Sequence, residues 1–251
     1  MEQLYPEMVA RFYDVVYAQV RDGVDKDYYL RQIAQCTGPV LELGAGTGRL
    51  FCEARAGGAD IYGIDISPAM VAKLQGKLND EERRRVWVAD ALQLRLERRF
   101  ELILAPFRML SHLQRVAEQL RLLDVVYEHL APGGRFIFDV YVPALRLLLD
   151  GMDGLVDFDG EYAPGLRLRR VLRARSDLVS QTTEVTMSFF WDEDGKEQRG
   201  DYRFAMRFFF RYEIEHLIAR SRLTLRSIHG DFAGGPLGPD SREFVVVCGR
   251  D

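Results

Sequence analysis

The sequence predicts an α/β fold, a doubly wound and mostly parallel sheet covered by helices on both faces. Three observations predict it. Short apolar runs at 40–43, 61–64, 85–88, 100–104 and 135–138 alternate with helical patterns, the rhythm of βαβ units. The first run leads straight into Gly44-Ala45-Gly46-Thr47-Gly48, a small-residue turn between a strand and a helix. After residue 150 the rhythm gives way to period-two and aromatic-rich runs, which read as antiparallel strands.

From residue 8 the apolar side chains fall at helical spacing, with Met8, Phe12 and Val16 on one stripe and Val9, Tyr13 and Tyr17 beside it. A second helix is expected from Asp27 to the stop at Thr37-Gly38-Pro39. Residues 1–34 thus form a pair of lid helices. Leu50 to Ala56 is the helix after the glycine turn, ended by Gly57-Gly58. Ser67-Pro68 supplies an N-cap and a proline at the first helical position. Residues 114–130 form a long amphipathic helix with Val116, Leu120, Leu123, Val126, Tyr127 and Leu130 inward.

Beyond it, Leu166–Leu178, Thr182–Trp191 and Tyr202–Phe210 read as a meander, with turns at Ser176-Asp177, Asp192–Gly195 and Arg199-Gly200-Asp201. A short helix at 212–219 and strands at 223–228 and 244–248 follow. The whole is expected to be a single domain over 1–251, with a β insertion at 155–210.

Composition limits the functions open to this fold. The 251 residues carry a formal net charge of −4, which argues against a main role in wrapping nucleic acid, since phosphate contacts supply most of that affinity. Cys36, Cys52 and Cys248 are far apart and form no CxxC pair, so they read as small packers in a reducing compartment, with no metal site. Met1–Pro6 lacks the features of a signal peptide, and no apolar run reaches the roughly 20 residues that span a bilayer. A soluble, cytoplasmic protein without membrane contact is expected.

The glycine turn points to a nucleoside cofactor. Asp65 closes the second strand, where an acidic side chain can accept both ribose hydroxyls. Arg49 occupies the position where a dinucleotide fingerprint needs a third small residue, and the Gly-Lys-Ser/Thr of a Walker loop is absent.

Glu42 ahead of a GxGxG turn, Ile64–Met70, Ala89-Asp90-Ala91 and Leu130–Gly134 together resemble the motifs of the class I S-adenosylmethionine-dependent methyltransferases. That resemblance implies a Rossmann-like seven-stranded sheet with its last strand antiparallel, and S-adenosylmethionine as cofactor. It implies cofactor contacts from Tyr13, Glu42, Gly44, Ala45, Gly46, Asp65, Ile66, Met70, Asp90, Ala91 and Pro106. Met70 reads equally well as a core residue, and Asp90 also as a helix cap.

On the acceptor side, Ala105-Pro106-Phe107 lacks the Asn or Asp that grips the amine in adenine and glutamine N-methyltransferases, which counts against a base-modifying role. Phe12–Tyr17 and Asp25–Tyr29 resemble the lid of small-molecule methyltransferases that include amino-sugar N,N-dimethyltransferases. This implies Tyr13 near the sulfonium and His112 as base. His112 has the ordinary pKa for that task, and packing against the cofactor is the alternative role.

Arg167, Arg169, Arg173 and Arg175 are expected to be solvated and offset by nearby carboxylates. The aromatics at 189–191 and 208–210 are expected to be buried, with some left exposed for a homodimer. The resulting expectation is methyl transfer to nitrogen or oxygen of a small molecule. An RNA or protein methyltransferase and a non-catalytic cofactor-binding module are the alternatives.

Overall fold

The computed structural model describes residues 5–20 and 23–251. The first four residues of the expected lid lie outside that range.

Helices α1 (Glu7–Val20) and α2 (Val24–Ala34) precede the sheet. Val9, Phe12 and Val16 are the buried edge of α1, at the predicted helical spacing. Then come β1 (Val40–Leu43), α3 (Phe51–Ala56), β2 (Ile61–Asp65), α4 (Pro68–Gln75), α5 (Asp80–Arg83), β3 (Val86–Val88) and β4 (Phe100–Ala105). Ser67 caps α4 by accepting the amide of Met70, ahead of Pro68. A 3₁₀ turn at Met109–His112 leads to α6 (Val116–His129), β5 (Leu130–Tyr141) and α7 (Leu145–Asp150). The sheet closes with α8 (Arg211–Ala219), β10 (Thr224–His229) and β11 (Glu243–Gly249).

The seven strands lie in the order β10-β11-β5-β4-β1-β2-β3. β1 to β5 run parallel, and β11 lies antiparallel to both β5 and β10. This is the Rossmann-like arrangement with one antiparallel strand that the motifs imply. The chain order reverses between β1 and β4, so a crevice opens beyond their C-terminal ends, where open α/β sheets bind ligands. β1 is buried along its whole length, as a central strand covered on both faces must be.

The antiparallel sheet differs from the expected meander. It has four strands, with β6 (Met152–Ala163), β7 (Leu166–Asp177), β8 (Thr182–Glu193) and β9 (Lys196–Arg207) in sequence order. β6 is an edge strand with three register shifts and a single buried residue, Phe158, so it shows no alternation. Arg199-Gly200-Asp201 is not a turn but the middle of β9, paired with Ser188–Phe190. Gly200 is there for close approach, because a Cβ would stand 2.1 Å from the sulfur of Met8 on α1.

Arg167, Arg169, Arg173 and Arg175 of β7 are exposed, as expected. Arg167 and Arg173 face water and pair with Asp159 and Asp153, whereas Arg170 is buried in a two-pronged pair with Asp157. Phe189, Phe208 and Phe209 are buried, and Phe210 is 43% exposed.

The buried face of α6 is rotated from the predicted stripe. Leu122, Leu123, Val125 and Val126 point inward together with Gln119 and His129, while Val116 is 40% exposed. The two polar residues belong inside because their hydrogen bonds are met. Gln119 donates to the Leu113 carbonyl, and His129 bonds the Val125 carbonyl and the Leu96 amide.

Candidate functional site

The glycine turn is held by backbone and carboxylate bonds. The amides of Gly44 and Ala45 donate to the Ile64 carbonyl at 2.8 and 2.9 Å, docking the turn on the end of β2. One carboxylate oxygen of Asp65 accepts the Gly46 amide at 2.9 Å, and the other accepts the Ser67 amide at 2.8 Å. Gly46 is left-handed (φ 55°) with open space on its Cβ side. Gly48 (φ 90°) allows helix packing, since a Cβ there would meet Leu74 at 2.2 Å. The same carboxylate therefore shapes the loop and faces the cleft.

The lid helices grip this loop through charge. Asp14 of α1 accepts the Thr47 hydroxyl at 2.6 Å and pairs with Lys77 at 2.6 Å, while Lys77 also donates to the Thr47 carbonyl. Asp25 of α2, only 2% exposed, holds the Arg49 guanidinium with both oxygens. Arg49 thus turns away from the strand it would crowd, and its plane lies 5.3 Å above Phe107.

The cleft at the sheet's switch point brings together Tyr13, Glu42, Gly44, Ala45, Gly46, Asp65, Met70, Pro106 and His112 from the sequence-based set. It does not include Ile66, Asp90 or Ala91. Ile66 is 48% exposed outside it, and Ala91 is buried in the core under β4 and α6. Asp90 caps locally, one oxygen accepting the Leu92 amide and the other holding the side chain of Gln93.

The cleft also takes in Tyr5, Lys26, Tyr29, Arg49, Phe107 and Met109, which the sequence reading left out. Tyr17 joins them at its edge, its ring 4.3 Å from Tyr13 and 5.3 Å from Phe107. A second cavity of about 410 Å³ opens alongside, sharing Tyr13, Lys26 and Arg49.

Among the ionisable groups that line the cleft, Glu42 and His112 are strongly perturbed. Burial pushes the Glu42 carboxyl up to about 8, against the pull of Arg49 and helped by Asp65. Its Oε2 is buried and has no hydrogen-bond partner among the described residues. Burial also pushes His112 down to about 4, so its ring is neutral at physiological pH. The Tyr5 hydroxyl lies 3.2 Å from its Nε2, and the rings of Tyr5 and Phe204 pack against it at 5.8 and 5.7 Å. Tyr5 is itself fixed by the Tyr202 hydroxyl on its amide and the Ser67 hydroxyl on its carbonyl.

An open glycine turn, an acid at the end of the next strand and an unpartnered buried carboxyl suit a nucleoside ligand with positive charge. The residues present therefore fit S-adenosylmethionine.

Comparison with known proteins gives the class. Residues 41–136 match the family model described as a methyltransferase domain. The chain resembles malonyl-[acyl-carrier protein] O-methyltransferase 1 of Ilyobacter polytropus, with 31% identity over 105 residues; the match spans 41% of this chain and 37% of that protein. Among solved structures, an S-adenosylmethionine-dependent methyltransferase from Clostridium acetobutylicum superposes over 97% of this chain and 98% of its own, with TM-score 0.77 and 16% identity. CalS10 from Micromonospora echinaspora, an amino pentose methyltransferase solved with S-adenosylmethionine bound, covers both chains completely at TM-score 0.71 and 20% identity.

Residues 41–136 thus match a methyltransferase domain, and the chain has the fold of an S-adenosylmethionine-dependent methyltransferase. S-adenosylmethionine is the cofactor of that class.

Glu42 gives a prediction that needs no substrate. Its carboxyl titrates near 8 in the fold and in the ordinary carboxylate range when unfolded. The folded chain therefore binds the extra proton between those values. The resulting stability is fully present at low pH and is lost as pH rises through about 8. Glu42→Gln stays neutral, so its melting temperature relative to wild type should climb steadily from pH 5 to about 8.5 in the absence of cofactor. Parallel melting curves for the two proteins across that range would show that Glu42 titrates normally.

Proposed function

We propose that the protein transfers a methyl group from S-adenosylmethionine to a nitrogen or oxygen atom of a small-molecule acceptor in secondary metabolism. When bound, the cofactor supplies an electrophilic methyl on a sulfonium. The protein's part is to align the acceptor and to receive its proton.

The observation that carries this reading is His112. It is a neutral imidazole on the wall of the cleft, across from the glycine turn and enclosed by aromatic rings. Tyr13 and Tyr17 give the neighbouring cavity flat apolar walls, with the Lys26 and Arg49 cations at its side. Helices α1 and α2 cover this space, which suits a small ring better than a polymer. The CalS10 likeness favours an amine on a sugar ring, and the Ilyobacter relative keeps a carboxyl oxygen in view.

We read the chain as one domain with the four-stranded sheet inserted after β5, acting as a cytoplasmic homodimer without membrane contact. Among the described residues no helix is long and apolar enough to cross a membrane. No group of His, Cys, Asp and Glu among them could hold a metal.

The test is methyl transfer from labelled S-adenosylmethionine to a panel of amino sugars, phenols, carboxylic acids, RNA and protein. Label on one small-molecule class supports the reading. Label only on RNA or protein would replace it with a macromolecular acceptor. Tight binding of S-adenosylhomocysteine with no transfer to any class would make the protein a cofactor-binding module.

A further inference from the structure

One buried acid lies outside everything assigned so far. Asp139 is on β5, 1% exposed, one residue past the last β4–β5 pair of Ala105 with Phe138. That register sets its carboxylate directly under the chain leaving β4. There Phe107 and Arg108 are both left-handed, with φ of 59° and 62°. Consecutive left-handed residues bearing side chains are strained, and such strain persists only where the surroundings over-determine it.

Besides the ion pair of Arg108 with Glu243 at 2.6 Å, the surroundings here are Asp139. Its Oδ1 accepts the Phe107 amide at 2.8 Å and the Tyr29 hydroxyl of α2 at 2.6 Å, and its Oδ2 accepts the Arg108 amide at 3.1 Å. What this turn carries is the site itself. Phe107 and Met109 line the cleft, and Arg108 precedes the 3₁₀ turn that ends in His112.

We propose that Asp139 is a positioning residue that holds the Phe107-Arg108 turn in its left-handed form and ties lid helix α2 to it through Tyr29. One carboxylate thereby sets the wall carrying Phe107, Met109 and His112 relative to the glycine turn and the lid. The role requires both oxygens, because three donors converge on them. Asparagine keeps the shape and offers one acceptor oxygen, so at least one donor loses its partner and the turn is free to relax. Glycine at 108 takes the left-handed conformation without strain, so a turn containing it has less need of the clamp.

This rests on the cofactor reading above, and the experiment separates the two. S-adenosylhomocysteine is titrated calorimetrically into wild type, Asp139→Asn, Arg108→Gly and the double variant, and all four are melted. Wild type should bind. Asp139→Asn should lose about tenfold in affinity and about 5 °C or more in melting temperature, whereas in the Arg108→Gly background the same change should cost less than half as much on each scale. Equal losses in both backgrounds, or an Asp139→Asn protein within twofold of wild type, would overturn the proposal. Should Asp139→Asn fail to fold alone, folding of the double variant supports the proposal and its failure overturns it. No binding by wild type would sink the cofactor reading, and the melts would still decide the role of Asp139.

Discussion

Asp65→Ala is expected to weaken S-adenosylhomocysteine binding by about a hundredfold, with a smaller effect on stability. The ligand term comes from the carboxylate at the mouth of the cleft. Two charge-assisted hydrogen bonds to a ribose, at about 1.5 kcal/mol each, amount to roughly 3 kcal/mol, or about two decades in Kd. The loop term comes from Gly46 and Ser67, whose amides both donate to Asp65. Losing it lets the turn open, which adds to the affinity loss. Burial raises the Asp65 carboxyl, and the amides of Ser67, Gly46 and Ile66 oppose that rise. Asp65→Asn removes the charge and keeps one acceptor oxygen, so its loss should fall between wild type and Asp65→Ala. A calorimetric Kd for Asp65→Ala within threefold of wild type would remove Asp65 from the cofactor site.

The arrangement around the glycine turn was legible because its parts are close in sequence and obey local rules. A strand, a small-residue turn, a helix and an acid at the next strand's end lie within residues 40–65, and each has its own signature. Their assembly needed no knowledge of distant contacts. Tyr5, Asp25, Tyr29 and Asp139 had no such signal. Tyr5 meets His112 across 107 residues of chain, and Tyr29 meets Asp139 across 110. Tyr29 reads as part of the lid segment Asp25–Tyr29, and Asp139 falls just past the expected strand at 135–138. Only the register of β5 against β4 brings that carboxylate under Phe107.

The same physics explains the misreadings outside the site. Arg199-Gly200-Asp201 has the composition of a turn, yet Gly200 is set by the Met8 side chain from a helix almost 200 positions away in the chain. The edge strand β6 gives no alternation because neither of its faces is consistently buried. The inward face of α6 takes in Gln119 and His129 with their bonds satisfied, so it departs from the purely apolar stripe. Periodicity reports what burial demands. It is silent where hydrogen bonding or close approach decides.

His112→Ala is expected to lower turnover of an amine acceptor at pH 7 by about 10 to 10², below the full range of a positioned general base, because a ring lowered to about 4 accepts a proton weakly. Binding of S-adenosylhomocysteine should stay within about threefold, because no cofactor charge needs the imidazole. Since burial lowers His112 to about 4, its ring stays neutral across the neutral range and below it. Wild-type activity should therefore show no limb from His112 protonation until pH approaches 4 to 5.

The variant should behave differently. Without a base, the reaction depends on acceptor that has already lost its proton, so its deficit should shrink as pH rises. A histidine that merely packs would leave a deficit that does not change with pH. Tyr5→Phe removes the hydroxyl at Nε2 and should cost about tenfold or less, because the base remains and only its orientation loosens. Stability supplies an independent reading of the same pKa. The unfolded chain takes up the His112 proton first, so the stability is complete above about 6.5 and falls as the solution is acidified toward 4. His112→Phe should melt with a smaller acid loss over that interval. Full turnover by His112→Ala, or a deficit constant from pH 6 to 9, would leave the imidazole as packing and pass the proton to water.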